Sequence, residues 1–297
     1  MQALYDAIAD LARSGFLPGM FEHSFMIRGM LAALLIGPVL GAMGTVVVTK
    51  KLSFFTQTIG HASLTGVAIG LYFGEPMDAT FGGLYGFCLI VALVMNFVKN
   101  RTGAANDTVI GVVLAQILGL GIVMMVVVTK QFNIHQVEAI LFGSLITLTE
   151  GDLLMLLISS IFAVVMLMFI FNQTILISFN PVMAKARGLR IVVLEYLFIM
   201  VLTAVVVASL KLIGALLVLV LVVVPAAGAQ NIARNLKQFF WISIAFSSVS
   251  TVAGLMISGA YPIPTGGSIV LVSSILFYGT LLLRPLFGGR SISQGSA

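Results

Sequence analysis

The stretch SFFTQTIGHASLTGVAIGLYFG, residues 53–74, decides how this chain can fold. It holds His61, one of three histidines in the chain, and no acid or other base. Small residues recur at every fourth position, which puts them on one helix face where a neighbouring helix can approach closely. That face consists of Ala62, Gly66, Gly70 and Gly74. The spacing predicts a membrane helix that packs tightly, with Gly66 and Gly70 as packing residues.

A polar face lies beside the small residues. Gln57, His61 and Thr65 recur at the same spacing of four. An ionisable residue inside a membrane helix indicates a functional site by default, because it is costly to place in lipid. Two interpretations stay open for His61: metal handling or gating, and an imidazole satisfied by a neighbouring backbone carbonyl.

Composition places the whole chain in the membrane. The sequence is 60% hydrophobic and 8% charged, whereas soluble domains carry about 25% charged residues. The apolar runs are long and continuous, which excludes the alternating pattern of a transmembrane β-barrel. Basic residues are distributed between these runs, so we expect membrane lipid and no nucleic acid as a partner.

The apolar runs predict an all-α polytopic fold with nine candidate spans and a range of eight to ten. We expect a surface segment at 1–24, one transmembrane domain at 25–286 and a tail at 287–297. Residues 130–151 contain an apolar piece too short to span, which predicts a re-entrant or interfacial segment. The spans cover residues 25–49, 53–74, 79–98, 107–129, 153–171, 191–210, 213–233, 239–258 and 269–283.

Basic residues orient this array. Of the fifteen in the chain, four fall in one set of connections: Arg13, Arg28, Lys130 and Lys211. The other eleven are Lys50, Lys51, Lys99, Arg101, Lys185, Arg187, Arg190, Arg234, Lys237, Arg284 and Arg290. Because positive residues favour the cytoplasm, we expect the C-terminus and the 172–190 loop to be cytoplasmic.

The 172–190 loop predicts a short helix bounded at both ends. Asn180 is a good N-cap and Pro181 a good first helical residue, and Gly188 provides a C-terminal stop. Between them Met183 is a flexible apolar side chain, and Ala184 and Ala186 are small. The helix is either an interfacial linker or a docking element for a soluble partner.

Several ordered motifs make the chain similar to the permease subunit of bacterial ABC importers for zinc, manganese or iron. The resemblance runs from about Phe25 to Leu286. Its strongest segments are KKLSFFTQTIGHASLTGVAIG, FNPVMAKARG and LIGALLVLVLVVVPAAGA; FMIRGMLAALL, NDTVIGVVLA and LFGSLITLTEGDL add to it. It identifies residues 180–188 as the coupling helix that contacts a separate ATPase.

The resemblance implies a bacterial plasma-membrane protein that is not itself an enzyme. It implies ATP-binding cassette ATPase subunits and an extracytoplasmic metal-binding protein as partners, and a homodimer with the ion path between two copies. No cofactor is expected beyond the transported divalent metal ion, for which GHASLTGVA favours zinc over manganese or iron. The sequence has no G-x-x-x-x-G-K-[ST] nucleotide motif of its own.

The chain also departs from the family pattern. Gln57 stands where the family has an aspartate four residues before the histidine, and Ser144 replaces another aspartate. Gln57 and His61 still place an oxygen and an imidazole on one helix face, as a transient metal site requires. Asp107 is a candidate for the missing charge, although it could simply cap the fourth span.

Alternative functions stay open. An ABC permease for a non-metal or chelated substrate would explain Gln57. A secondary transporter driven by an ion gradient usually needs buried carboxylates, and outside ends and loops this chain has almost none. Pro225 lies within the seventh span, where it could be a gating hinge or a packed kink.

Overall fold

A computed structural model describes residues 19–76, 81–128, 148–214, 218–261 and 263–283. These residues confirm an all-α polytopic membrane protein. A short 3-10 helix, Gly19–Glu22, precedes the first long helix. The re-entrant segment expected within 130–151 lies outside the described residues except for its last few, as do the tail at 287–297 and most of the N-terminal segment.

Ten α-helices follow in chain order within these ranges. The short α6 lies in the 172–190 loop, and the other nine coincide with the nine candidate spans. Their bounds are α1 Ser24–Thr49, α2 Ser53–Tyr72, α3 Phe81–Thr102, α4 Asn106–Val128, α5 Glu150–Phe179, α6 Pro181–Ala186, α7 Ile191–Ile213, α8 Val218–Ile232, α9 Leu236–Ala260 and α10 Thr265–Leu283.

Within the described ranges, seven of these helices are long and apolar enough to cross a membrane: α1, α3, α4, α5, α7, α9 and α10. The second and seventh predicted spans, α2 and α8, are helices that do not meet both the length and the hydropathy conditions. The polar residues of α2 lower its hydropathy, although its 20 residues suffice in length. The described part of α8 has 15 residues, which extend about 22 Å, against an apolar core of about 30 Å; residues 215–217, directly before it, lie outside the described residues.

Local signals explain where helices begin. The Thr149 hydroxyl accepts a hydrogen bond from the Asp152 N–H at the start of α5, and the Asp152 carboxylate accepts one from the Thr149 N–H in return. This reciprocal arrangement is a capping box. Asn235 caps α9 by accepting from the Gln238 N–H at 2.8 Å. Each cap satisfies amides that a helix N-terminus leaves unpaired.

The first span, α1, lies at the centre of the bundle and packs against α9, α8, α5 and α7. Glycines make this close packing possible. A Cβ atom built on Gly41 would lie 2.7 Å from the Ser243 carbonyl oxygen, and one on Gly37 would lie 2.9 Å from the Ser248 Cα, both on α9. The Ser243 hydroxyl donates to the Gly41 carbonyl at 2.7 Å.

The small-residue face of α2 lies against α3. A Cβ atom on Gly66 would lie 2.7 Å from the Gly83 carbonyl oxygen, and one on Gly83 would lie 2.6 Å from the Gly70 Cα. At the end of this contact both carboxylate oxygens of Glu75 accept from the Gly83 N–H, at 3.1 and 3.2 Å. A carboxylate at this position also interacts favourably with the N-terminal dipole of α3.

The two ends of the bundle differ in charge. One end, the basic end, holds the α1–α2, α3–α4 and α8–α9 connections and the α5–α6–α7 segment. The opposite end holds Arg28, whose guanidinium donates to the Leu148 carbonyl and lies 4.0 Å from the Glu150 carboxylate. The basic end holds Lys50, Lys51, Lys99, Arg101, Lys185, Arg187, Arg190, Arg234 and Lys237.

Replacing Gly41 by alanine should destabilise the bundle, because the new methyl group meets backbone atoms of α9 that cannot move aside. We expect a loss of about 1–3 kcal/mol in the free energy of unfolding, measured by denaturant unfolding in detergent micelles. Gly86→Ala is the matched control, since no atom lies within 4 Å of its added Cβ. Equal stability of the two variants would contradict the close α1–α9 contact.

Candidate functional site

A groove of about 290 Å³ lies between α2 and α4. Polar residues of α2 form one wall, and α4 supplies an apolar wall. From α2 the lining residues are His61, Leu64 and Thr65. From α4 they are Ile117, Leu118, Gly121, Ile122, Met125 and Val126. The groove is open on one side, so it is accessible without any movement of the two helices.

His61 and Thr65 are the polar side chains in this groove. His61 is half-buried, and no hydrogen bond or ion pair engages its ring within the part of the chain that the structure describes. The Thr65 hydroxyl is buried and also has no hydrogen-bond partner among those residues. Buried polar atoms are seldom left unpaired. These two side chains can therefore accept a ligand or water.

Gly121 keeps α4 close to the Thr65 hydroxyl. A Cβ atom at this position would lie 2.8 Å from Thr65 Oγ1. Sequence reasoning included Thr65 in the polar face of α2 but missed Gly121, because the contact joins two helices that are separate in sequence. A glycine within an apolar span was the only available signal.

The other candidate metal ligands do not line the groove. Gln57 lies one turn before His61 and is half-buried. Asp107 is exposed in the first turn of α4, ten residues before Ile117 and so about 15 Å from it along the helix. A role for Asp107 in supplying the charge that Gln57 lacks stays a prediction. Across the described ranges, no three His, Cys, Asp or Glu side chains cluster as a metal site.

An ion-pair cluster holds the basic end of α2 in place. Glu195, one turn inside α7, accepts through one carboxylate oxygen from the Lys99 ammonium at 3.0 Å and the Lys50 ammonium at 3.4 Å. The Lys50 side chain is 8% exposed and that of Glu195 12%. Burial lowers the pKa of Lys50 below its ordinary value, and the charge of Glu195 opposes that shift.

The turn that carries Lys50 is also held by α4. The side-chain amide of Asn106 donates to the Lys50 carbonyl at 3.0 Å. Next to it Lys51 has φ = 55°, the one positive φ among non-glycine residues of the described ranges. This left-handed conformation lets the Leu52 N–H donate to the Val47 carbonyl at 2.9 Å, as in the turn that ordinarily uses glycine.

The 172–190 loop contains the short helix that the sequence predicted. The Asn180 side chain accepts from the Met183 N–H at 2.9 Å, and Pro181 is the first helical residue. Ala184 is fully buried and Ala186 is exposed, while Met183 is 47% exposed. Gly188 ends the helix with φ = 73°. Met183 and Ala186 thus form an exposed surface of α6 at the basic end.

Pro225 lies inside α8, where the helix continues through it. It is buried, and its neighbour Ala226 packs near Gly44 of α1. A role as a gating hinge stays a prediction.

The sequence profile of the ABC 3 transport family matches residues 22–284. The manganese transport system membrane protein MntC of Listeria monocytogenes is 30% identical, over 92% of this chain and 95% of that protein. The high-affinity zinc uptake system membrane protein ZnuB of Haemophilus influenzae is 29% identical, over 89% and 99%. A solved structure of PsaBC from Streptococcus pneumoniae with Fab superposes with a TM-score of 0.78, at 27% identity, over 92% and 97%.

Substituting Gly121 by alanine should restrict access to the groove, because the methyl group would contact the Thr65 hydroxyl. We expect a cysteine introduced at Leu64 to react with a maleimide at least about threefold more slowly when Gly121→Ala is present. Gly119→Ala on the same helix is the control, since its Cβ meets no atom within 4 Å. Equal labelling rates in the two backgrounds would show that Gly121 does not keep the groove open.

Proposed function

Because the chain belongs to the ABC 3 transport family, we propose that it is the membrane permease of an ATP-driven importer for a divalent metal ion. The observation that carries this proposal is the groove between α2 and α4. It lies within the residues that match the family and presents the His61 imidazole and the Thr65 hydroxyl, neither of which has a hydrogen-bond partner among the described residues. Both groups can bind a dehydrated cation for a short time before releasing it.

The complete ion path requires a second copy of the chain. One side of the groove is open, and lipid is a costly neighbour for an imidazole. The outer face of α4 beside it carries Gly111 and Gly119, where no atom lies within 4 Å of an added Cβ. Small residues on an exposed helix face suit close approach by another membrane helix. A homodimer with two grooves facing one central path meets these requirements.

The energy for transport comes from ATP hydrolysis by separate ATPase subunits at the basic end. Positive residues favour the cytoplasm, so this end faces the cytoplasm and the opposite end receives metal from an extracytoplasmic binding protein. The exposed face of α6, with Met183 at its centre, is the docking element for the ATPase. Closure of the ATPases on ATP moves α6 and alternates the access of the path.

Manganese is the first candidate cargo, with zinc its competitor. The relative at 30% identity is named for manganese and the relative at 29% identity for zinc. The expectation of zinc therefore stays a prediction. The chemistry of the polar face favours the harder ion, because Thr65 provides a neutral oxygen beside one imidazole in the groove, and Gln57 adds another one turn away on the same face. Oxygen ligands suit manganese, whereas zinc prefers nitrogen and sulfur.

An ion-gradient-driven transporter is less consistent with the structure. Among the described residues Asp152 is the buried carboxylate, and the side chain of Glu195 is 12% exposed. Asp152 caps α5, and Glu195 pairs with two lysines near the end of α7. Neither lies in mid-membrane as a proton or sodium site.

His61→Ala should reduce metal uptake at least about tenfold, because the imidazole is the strongest transition-metal ligand in the groove. The measurement is uptake of manganese, zinc and iron into proteoliposomes that contain the permease, its ATPase and its binding protein. His23→Ala is the matched control, since His23 is exposed and stacks on Phe25 near the start of α1. Wild-type uptake by His61→Ala would refute the site.

Gln57→Asp tests cargo choice in the same assay. An added carboxylate one turn from His61 should slow release of zinc more than that of manganese, because zinc binds such N/O sites more tightly. We therefore expect the manganese-to-zinc uptake ratio to rise. An unchanged ratio would show that Gln57 does not tune the metal.

Met183→Asp should weaken binding of the ATPase at least about tenfold, because it places a charge in an apolar docking contact. Deletion of residues 181–188 should abolish it. Copurification of the two subunits from detergent measures the loss. Lys237→Asp on α9 is the control, an exposed position at the same end of the bundle. Retained binding by the deletion variant would rule out α6 as the docking element.

A further inference from the structure

We propose that Glu195, Lys50 and Asn106 form a mechanical relay that couples movement of α6 to the width of the His61 groove. Glu195 and Asn106 are positioning residues in this relay, and neither lines the groove. The inference rests on the proposed function for its physiological meaning. Its physical basis is a chain of contacts that runs from α6 through α7 to both walls of the groove.

The first link joins α6 to α7. The buried Ala184 anchors α6, which contacts α5 and α7. The Leu189 N–H donates to the Ala184 carbonyl at 3.1 Å, and the Gly188 N–H donates to the Lys185 carbonyl at 2.9 Å. This turn locks the end of α6 to the start of α7, so the two helices are expected to move together.

The second link joins α7 to the α1–α2 turn. Glu195 lies in the second turn of α7, and its carboxylate contacts the Lys50 ammonium. Lys99 of α3 holds the same oxygen from another direction. Because the pair is largely buried, solvent screens it little, so displacement of α7 acts directly on Lys50.

The third link distributes this displacement to both walls of the groove. Lys50 is two residues before Leu52, the N-cap of α2, and α2 carries His61. The carbonyl of Lys50 also accepts from Asn106, the first residue of α4. One residue therefore controls the basic ends of α2 and α4, the two helices between which the groove lies.

The backbone conformation of Lys51 makes the α1–α2 turn sensitive to loss of the contacts around it. Its left-handed conformation is unfavourable for a residue with a side chain, and such conformations persist where surrounding contacts hold them. Within the described residues those contacts include the ion pair of Lys50, the Asn106 bond and the buried Leu52, whose N–H donates to the Val47 carbonyl. Release of the ion pair would let this turn relax and α2 shift relative to α4.

The test uses the full complex of permease, ATPase and binding protein in proteoliposomes. Metal uptake and ATP hydrolysis are measured on the same sample, with manganese and zinc in separate arms. Glu195→Gln removes the charge while it keeps the shape, and Asn106→Ala removes the third link without changing charge. Arg101→Gln and Asn100→Ala are the matched controls, both exposed on the last turns of α3.

We expect Glu195→Gln and Asn106→Ala to lower metal uptake per ATP hydrolysed by about threefold or more, with hydrolysis itself within about twofold of wild type. An equal loss of uptake and hydrolysis in an assembled complex that carries Asn106→Ala would overturn the relay. An unchanged ratio in both variants would also overturn it. If Glu195→Gln does not assemble, Asn106→Ala decides the question.

A second readout does not depend on metal transport. A cysteine introduced at Leu118, on the α4 wall, should change its maleimide labelling rate when ATP is added to the wild-type complex, and Glu195→Gln should abolish that change. If the wild-type complex takes up neither metal, manganese and zinc are both ruled out as the cargo of the proposed function. The labelling experiment still supports or overturns the relay in that case, since it follows the groove directly.

Discussion

The cost of placing polar side chains in lipid determines the position of α2. Gln57, His61 and Thr65 lie on a helix that is less apolar than its neighbours, and apolar lipid offers them no hydrogen bonds. The bundle meets this constraint by packing α2 against α3, α4, α7 and α8. One side is left open at the His61 groove, and this opening is what a second protein surface would have to cover.

Close packing around α2 depends on glycine at matched positions of two helices. Gly66 and Gly83 approach the facing helix so closely that a side chain on either would overlap with its backbone, and a side chain on Gly70 would meet the Glu75 carboxylate. Without a hydrophobic force between helices in lipid, such van der Waals contact and hydrogen bonds supply the stability. The same device, Gly37 and Gly41 against α9, fixes α1 at the centre of the fold.

Charge is concentrated where the bundle meets water, and there it organises the connections. Glu195 of α7 pairs with Lys50 in the α1–α2 turn and with Lys99 of α3. One ion-pair cluster therefore connects α1, α2, α3 and α7. A buried pair of this kind contributes little net stability because its desolvation cost is large. Its effect is to fix the positions of the helices that carry the groove relative to α7, which follows α6.

The sequence by itself determined the all-α membrane fold, the spans, the α6 helix with its Asn180 cap and Gly188 stop, and the family. These features depend on hydropathy, local spacing and local hydrogen bonds, all of which a sequence displays directly. It predicted α2 and α8 as spans as well; within the described residues α2 is less apolar, and α8 shorter, than the seven helices that are long and apolar enough to cross a membrane.

Only the tertiary structure decided which residues meet. It placed Thr65 beside Gly121, kept Asp107 about 15 Å along α4 from the groove, and joined Glu195 to Lys50 across 145 residues. Contacts between helices depend on how each helix is rotated and shifted against its neighbours. One sequence does not specify those quantities, because every apolar face is compatible with several partners until the whole bundle is packed.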